Sequence, residues 1–425
     1  MQFEVISELK TTGRTMPVGH VIMFFAIYLI VSLSMWFKVH EPLGFLLASV
    51  GVFALYQFRL SYSLFDKFYL WTWLAAGILL LFVALSRSDQ REVELNFALI
   101  PFYCILFYAS LRMYGGKGLL YGALVLLTLN GGIASALDIF NGTGGRLHTI
   151  FNPILHGNIA AFLAIFFIFE GINAMQNRKW FQAVLFGGLV IISLITFVTA
   201  GSRSPIVFIF IFFALATVIF KFYTQKIFYL FLVSVVALST VGFYIFDDSV
   251  FVKRAKLGVS NSVKYLQGER AVANTSEGLR AEFFRSGTYM IKNSPLLGNS
   301  NLDIREQYQV LIDKGELDKG VLRHPHFHSD IIELGVRYGL LGIFVFLLTM
   351  GLMVYGVVTS WPFISRTRQI QSFAFIVGIL VFGLMDYSYA TLSHILILAG
   401  SPPIVLGSLR YIVAKAQIEQ SHGKV

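Results

Sequence analysis

Residues 180–199 read WFQAVLFGGLVIISLITFVT, an apolar stretch without a single Asp, Glu, Lys or Arg. About twenty such residues form a helix long enough to cross the hydrocarbon core of a bilayer. Similar blocks recur along the 425 residues, of which 56% are hydrophobic and 13% are charged, and the mean hydropathy is +0.72. Because a water-soluble domain carries about a quarter charged residues, the composition excludes that class and predicts an all-α polytopic membrane protein.

The length criterion predicts about twelve transmembrane helices. The first is expected to be a retained helix, because it is longer than a signal-peptide core and lacks a small-residue cleavage site. The predicted segments lie near residues 19–37, 42–58, 68–86, 95–112, 118–138, 158–176, 180–199, 205–222, 227–246, 331–357, 370–389 and 393–413.

One long loop separates the ninth predicted helix from the tenth. The chain is therefore predicted to consist of nine transmembrane helices (1–246), the loop (247–330), and three further transmembrane helices with a tail (331–425). A connection of this length is usually functional or disordered. Because aromatic and aliphatic residues occur throughout the loop, its composition favours an ordered, functional segment.

Basic residues mark alternate short connections, for example Arg178 with Lys179 and Lys221 with Lys226. Connections rich in Lys and Arg face the cytoplasm, so both termini are expected there and the long loop on the outer side. The formal net charge of +10 is spread among these connections, and nucleic acid is not an expected partner. With one cysteine, Cys104, no intrachain disulfide is possible.

Within the long loop, residues 276–293 read SEGLRAEFFRSGTYMIKN, with apolar residues at helical spacing and Pro295 just beyond. This pattern predicts an amphipathic helix that lies on the helical bundle or on the membrane surface. The alternative interpretation is a cap that merely covers the bundle.

Six unusual polar residues from four connections are predicted at the outer membrane boundary: Arg146, Arg203, Arg280, His326, His328 and Asp386. Arg203 lies in TAGSRSP (199–205), where almost no room remains for a loop between two apolar blocks. It either anchors a turn at the lipid headgroups or holds a phosphate, which guanidinium binds in a forked geometry. Arg280 either forms a surface ion pair with Glu277 or provides a second phosphate ligand.

Three of the nine histidines lie in HPHFHSD (324–330). Asp330 and Glu333 are spaced like a capping box, which predicts that a helix begins there and that His328 lies just outside it. We interpret His328 as a proton acceptor and His326 as a neighbour that positions or packs. A zinc site is the alternative, since alternating residues of an extended strand share a face.

The order TAGSRSP (199–205), EGLRAEFFRSGTYMIKNSPLLG (277–298) and HPHFHSDIIELGVRYGLLGIF (324–344) resembles the core of the bacterial O-antigen ligases and their polymerase relatives. The resemblance is close over roughly residues 199–345. The DIIELG stretch and the late Asp386 are more similar to the ligase branch. Ser329 is a departure, because many relatives have Asn after the key histidine.

This resemblance implies a GT-C-like, metal-independent inverting glycosyltransferase of the Gram-negative inner membrane with a periplasmic active site and no cofactor. The donor would be O-antigen on undecaprenyl diphosphate, and the acceptor a sugar hydroxyl of the lipid A–core oligosaccharide. His328 would be the general base, and Arg203 and Arg280 would hold the diphosphate. Arg146, His326 and Asp386 are implied as further substrate-binding residues. No oligomeric state is implied.

Two other functions fit the same residues. An O-antigen polymerase of the same family would use the same donor with a different acceptor. A transporter of lipid-linked oligosaccharides would also need fixed cations in a membrane cavity, although it would favour polar groups throughout the membrane depth.

Overall fold

The computed structural model describes residues 70–79 apart from 73 and 76, and residues 117–140, 153–202, 204–221, 250–324 and 326–385. Within these ranges all regular structure is helical and no strand occurs. The α-helices are α1 (Leu70–Leu79), α2 (Lys117–Phe140), α3 (Pro153–Gln176), α4 (Trp180–Ala200), α5 (Ser204–Ile219), α6 (Val250–Leu266), α7 (Ser276–Asn293), α8 (Asn301–Asp313), α9 (Asp330–Ser360) and α10 (Arg366–Met385). Short 3-10 helices cover Arg270–Val272, Lys319–Arg323 and Trp361–Phe363.

Four helical segments are long and apolar enough to cross a membrane: His156–Gln176, Trp180–Ala200, Asp330–Phe363 and Arg366–Met385. Shorter apolar helices cover Leu70–Leu79, Leu127–Phe140 and Ser204–Ile219. The prediction of an all-helical polytopic membrane protein is therefore confirmed. The count of about twelve spans, the GT-C-like type and the three-part division of the chain stay predictions, because several predicted helices lie outside the described residues.

Close contacts divide the chain into two compact units, one of residues 131–344 and 373–388 and the other of residues 1–130, 345–372 and 389–425. In the second unit, the 3-10 helix Trp361–Phe363 follows α9. There the Gln369 side-chain amide donates a hydrogen bond of 3.0 Å to the carbonyl oxygen of Trp361. This bond closes the short connection to α10.

Small and aromatic residues pack the helices of the first unit. Cβ atoms built on Gly131 and Gly132 would meet Thr196 and Ile192 of α4 at 3.0 and 2.6 Å, so α2 approaches α4 as closely as small residues allow. Phe208 of α5 is fully buried, and its ring lies 4.9 Å from that of Phe382 in α10. By contrast, α4 exposes a broad apolar face, as expected of a helix that contacts lipid.

The segment from α6 to the start of α9 has a hydrophobic core of its own. Helix α7 begins and ends where the sequence pattern predicts, and the Thr275 hydroxyl caps it by accepting from the Gly278 N–H at 3.3 Å. The buried members of this core are Phe283, Met290, Ile304, Tyr308, Leu311, Ile312, Leu317, Val321, Phe327, Ile332 and Val336. Because Ile332 and Val336 belong to α9, the core attaches the segment to a membrane-length helix.

Two glycines allow the turn after α7 to contact the backbone of α9. Gly339 has φ 65° and interrupts the helical geometry of α9, and Gly298 in the turn has φ 75°. The Leu340 N–H then donates to the Pro295 carbonyl oxygen, and the Asn299 N–H donates to that of Val336, both at 2.7 Å. The turn SPLLG (294–298) is therefore joined to α9 through hydrogen bonds between backbone atoms.

We expect Gly298→Ala to lower the free energy of unfolding by about 3 kcal/mol, since the new side chain meets both backbone strain and a clash. A Cβ on Gly298 would lie 2.4 Å from the carbonyl carbon of Arg337. Thermal unfolding of the purified protein in detergent measures this loss. The matched control is Gly315→Ala, because Gly315 has φ 70° but nothing within 4 Å of its Cβ position. Equal losses in the two variants would contradict the backbone contact.

Candidate functional site

The loop between the 3-10 helix Lys319–Arg323 and α9 contains the three histidines and is anchored at Phe327. The Phe327 side chain is buried in the core described above, and its N–H donates to Oε2 of Glu333 at 2.7 Å. Successive residues of an extended chain point to opposite sides. Burial of Phe327 therefore puts the half-buried His326 on the other side of the chain. The ring centroids of His326 and His328 lie 4.2 Å apart.

His328 has φ 49°, in the left-handed region of backbone conformation. Such conformations are uncommon outside glycine and concentrate at functional sites, where the surrounding structure must hold them. Here the neighbours on both sides are buried. Ser329 is fully buried, and its hydroxyl donates to the Gly383 carbonyl oxygen of α10 at 3.4 Å. Phe327 and Ser329 thus hold His328 between two packed anchors.

The imidazole rings of His324 and His328 share one aromatic neighbour, Phe283. The Phe283 ring centroid lies 5.6 Å from that of His328 and 5.7 Å from that of His324. The His324 and His328 centroids are 5.4 Å apart. Burial lowers the pKa of His324, and the charges of His328 and Arg323 lower it further. Across the described ranges, no group of three His, Cys, Asp or Glu side chains has the arrangement of a metal site.

Arg280 lies on the same helix as this aromatic neighbour. It is half-buried and precedes Phe283 by three residues, which places the two side chains on one face of α7. On the same face, a Cβ built on Gly287 would lie 3.3 Å from the Phe327 ring. The face of α7 that carries Arg280 therefore lies beneath the histidine loop.

Arg203 is outside the described residues, but the turn on either side of it is described. Gly201 ends α4 in a left-handed conformation with φ 59°. Ser202 and Ser204 are buried, and the Ser204 hydroxyl donates to the Asn158 side-chain oxygen at 2.7 Å. The turn is thus attached to the N-terminal part of α3 through polar side chains. Sequence reasoning missed Asn158, although an Asn within an apolar helix is a signal for such a contact.

Arg146, Arg203 and Asp386 lie outside the described residues. Of the six predicted site residues, the described part of the chain contains Arg280, His326 and His328. It brings the two histidines together and puts Arg280 one turn from the ring that contacts His328. The functional role of each residue stays a prediction.

A buried ion pair supports the histidine loop, and sequence reasoning interpreted its acidic member differently. Glu333 is 0% exposed. It was expected to cap α9, but its Oε2 accepts from the Phe327 N–H and its Oε1 from Nε of Arg337. Arg337 also donates to the Asn301 side-chain oxygen at 2.9 Å. The i,i+4 spacing of an acid and a base in an apolar helix is the signal that could have identified the pair.

The described helices and this loop define a class: an α-helical polytopic membrane protein with a polar loop at the end of one long helix. Residues 188–347 match the family model of the O-antigen ligases. This match bears out the predicted resemblance to the O-antigen ligases over that segment, which runs from α4 through the histidine loop into α9. Members of this family are glycosyltransferase-like ligases, and the match supports that broad enzyme class for this chain.

A curated relative extends the similarity beyond that segment. The chain is 23% identical over 342 residues to a protein of Haemophilus influenzae strain Rd that is described as uncharacterized. The alignment covers 76% of this chain and 82% of that protein. The description of this relative names no activity or substrate.

We expect Glu333→Gln to lower the free energy of unfolding by about 3–5 kcal/mol, because it leaves the charge of Arg337 buried without its counterion. Thermal unfolding in detergent measures the loss, and hydrogen exchange of residues 324–329 reports loosening of the loop. Glu306→Gln on the exposed surface of α8 is the matched control. Unchanged stability and exchange in Glu333→Gln would contradict the anchoring role of Glu333.

The lowered pKa of His324 predicts that the protein loses stability at acidic pH. Because the folded-state pKa is lowered from the ordinary 6.5, the unfolded chain takes up the proton more readily than the folded chain once the pH falls below that value. Stability contributed by neutral His324 is present above the ordinary pKa and is lost as the pH falls through the folded-state pKa.

His324→Gln should therefore reduce the drop in unfolding temperature between pH about 7.5 and pH about 5, the range in which histidine titrates. Thermal unfolding of both proteins at the two pH values tests this. An identical drop in the wild type and the variant would contradict the prediction.

Proposed function

We propose that this protein is an O-antigen ligase that transfers O-antigen from undecaprenyl diphosphate to a sugar hydroxyl of the lipid A–core oligosaccharide. The observation that carries the proposal is the O-antigen ligase match over residues 188–347. That segment contains all three residues proposed for the chemistry: Arg203, Arg280 and His328. A second support is the order in which Arg203, Arg280 and the histidine loop follow one another in the sequence, which resembles that of the O-antigen ligases.

In the proposed step, a ring nitrogen of His328 accepts the proton of the acceptor hydroxyl. The hydroxyl oxygen attacks the anomeric carbon of the donor sugar and forms the new glycosidic bond. The bond from that carbon to the diphosphate oxygen breaks, and its electron pair leaves with undecaprenyl diphosphate. Attack opposite the leaving group inverts the configuration at the anomeric carbon.

Arg280 and Arg203 are proposed to bind the diphosphate and to stabilise the negative charge that develops as it leaves. Guanidinium groups suit this role because they stay charged and bind phosphate oxygens with two parallel hydrogen bonds. Two such groups supply the stabilisation that a divalent cation provides elsewhere, which is the reason for proposing a metal-independent reaction. Support for Arg280 comes from its position one turn from Phe283, whose ring lies 5.6 Å from that of His328.

His328 is suited to the base role by its fixed position. A base acts efficiently when it is held within hydrogen-bonding reach of the reacting hydroxyl. The left-handed backbone of His328 and the burial of both neighbours restrict its motion. His326, Arg146 and Asp386 are proposed to contact the substrates around it.

The proposed location is the bacterial inner membrane, with both termini in the cytoplasm and the active site in the periplasm. The distribution of Lys and Arg among the short connections supports this orientation. In it, the segment 247–330 is the periplasmic loop, and both lipid-linked substrates reach the histidine loop from the outer leaflet.

We expect His328→Ala to reduce transfer by purified protein about 10²–10⁴-fold, since it removes the general base, while the protein stays folded. The measurement is in vitro transfer in detergent from lipid-linked donor to lipid A–core, in the presence of EDTA. Arg305→Ala on the exposed face of α8 is the control and should keep wild-type transfer. Normal transfer by His328→Ala would contradict the base assignment, and loss of transfer with EDTA would contradict the metal-independent step.

Cells that lack the gene distinguish the competing functions. A ligase predicts lipopolysaccharide without any O-antigen, whereas a polymerase predicts a single repeat unit on the core. Glycosidic bond formation by the purified protein would rule out a transporter.

A further inference from the structure

An open groove of about 510 Å³ runs along α7, on the side of the helix that carries Phe284 and Tyr289. Its walls come from α7, the end of α8 and the turn that follows α8. The lining residues with exposed surface are Phe284, Arg285, Thr288, Tyr289, Lys292 and Glu316. We call this feature the α7 groove. Its volume lies within the range of about 300–1,000 Å³ that small-molecule sites occupy.

The groove combines aromatic rings with charged groups. Phe284 is 41% exposed and Tyr289 is 37% exposed, so each ring presents part of its apolar surface to the groove. Arg285 lies 3.8 Å from Glu316, and both side chains are about half exposed (49%). Lys292 adds a further positive charge one turn beyond Thr288. The groove therefore offers flat apolar surfaces beside hydrogen-bonding and cationic groups.

That combination matches the chemistry of a sugar chain. A pyranose ring has apolar C–H faces that pack against an aromatic ring, and its hydroxyls bond to charged and hydroxyl side chains at the rim. Two basic residues against a single acidic one favour a saccharide that carries acidic or phosphate groups.

A membrane surface fits the groove less well. The groove is concave and charged, whereas a helix that lies in a bilayer presents a convex apolar stripe. Such a stripe exists on α6, where Val259, Val263 and Leu266 are exposed at helical spacing. We therefore assign the groove to a water-soluble ligand.

The groove begins close to the proposed reaction site. Phe284 follows Arg280 by one helical turn, and Lys292 lies eight residues further along α7, a distance of about 12 Å at 1.5 Å per residue. A saccharide held at Arg280 would have to extend by about one helical turn, roughly 5.4 Å, to reach the groove at Phe284.

We propose that the α7 groove binds an oligosaccharide portion of a lipid-linked substrate, beyond the sugar that reacts. The identity of this ligand as substrate rests on the proposed ligase function. Binding of the saccharide itself does not depend on catalysis. The groove would then set which saccharides the enzyme accepts, while the histidine loop performs the transfer.

The first test is direct binding to the purified full chain in detergent. Two soluble probes are titrated separately by calorimetry: O-antigen polysaccharide released from its lipid, and core oligosaccharide released from lipid A. We expect one of them to bind, and its identity tells whether the groove holds the donor or the acceptor. Tyr289→Leu and the double variant Arg285→Gln/Lys292→Gln should each weaken binding about tenfold, as loss of a central aromatic or charged contact does.

Matched variants separate binding from folding. Tyr289→Phe keeps the ring and should bind within about twofold of wild type, a change well below the roughly 1.4 kcal/mol that corresponds to tenfold. Leu302→Ala and Arg305→Gln alter exposed residues of α8 outside the groove and should bind like wild type. Failure of both probes to bind, or equal binding by groove and control variants, would overturn the proposal.

Steady-state kinetics distinguish failure of the groove proposal from failure of the proposed ligase function. Groove variants should raise KM for the bound substrate about tenfold with kcat nearly unchanged, the pattern expected when binding is lost equally in ground and transition states. His328→Ala should do the reverse and lose turnover while it still binds the saccharide. Groove variants that lose kcat at unchanged KM would overturn the saccharide assignment and leave the ligase function intact. Wild-type protein that binds saccharide but transfers none would overturn the ligase function and leave the groove intact.

One further measurement tests the membrane alternative. Tyr289→Trp places a fluorophore in the groove, and its emission should change when saccharide is added to the protein in nanodiscs. Because the wild type already contains five tryptophans, the signal is the difference in emission between the variant and the wild type. Quenching of this difference by lipids with brominated acyl chains, with no response to saccharide, would show that this face lies in the bilayer and would overturn the proposal.

Discussion

The carboxylate of Glu333 is the interaction on which the described site depends. It is fully buried, so each of its oxygens needs a partner, and an unpaired charge there would be strongly destabilising. One oxygen accepts from the Phe327 N–H and the other from Arg337, which in turn bonds to Asn301. This buried ion pair thereby links the histidine loop, α9 and the beginning of α8. This arrangement restricts the loop because no member can move without leaving a buried polar group unsatisfied.

Backbone contacts at two glycines complete this attachment. Gly298 and Gly339 let the turn after α7 reach the interruption in α9, where carbonyl and amide groups bond directly. The Asn299 side chain adds a donor to the Val336 carbonyl oxygen at 3.0 Å. Helix α7 is consequently held at its C-terminal end by α9 and along its length by the core. One side of α7 packs beneath the histidine loop, and another side lines the α7 groove.

Several elements could be predicted from the sequence for clear physical reasons. Helix α7 was predicted over 276–293 because its apolar residues recur at helical spacing and Pro295 cannot continue a helix. The start of α9 at Asp330 and the membrane-length α3, α4 and α10 followed from polarity and length. The spacing of Asp330 and Glu333 predicted the start of α9, but the Glu333 carboxylate bonds to the Phe327 N–H and to Arg337, partners that the spacing does not reveal. The left-handed His328 and the interruption at Gly339 carry no periodic signal and were not predicted.

The sequence by itself determined the class of protein, the order of the helices and the residues that could do chemistry, because apolar length and charge are local properties of a chain. The tertiary structure decided which of those residues meet. Phe283 and His328 are 45 residues apart (328 − 283), and Ser329 and Gly383 are 54 apart, yet these contacts define the position of the proposed base. No local pattern encodes such pairs, since they arise only when buried charges and side chains find partners across the folded chain.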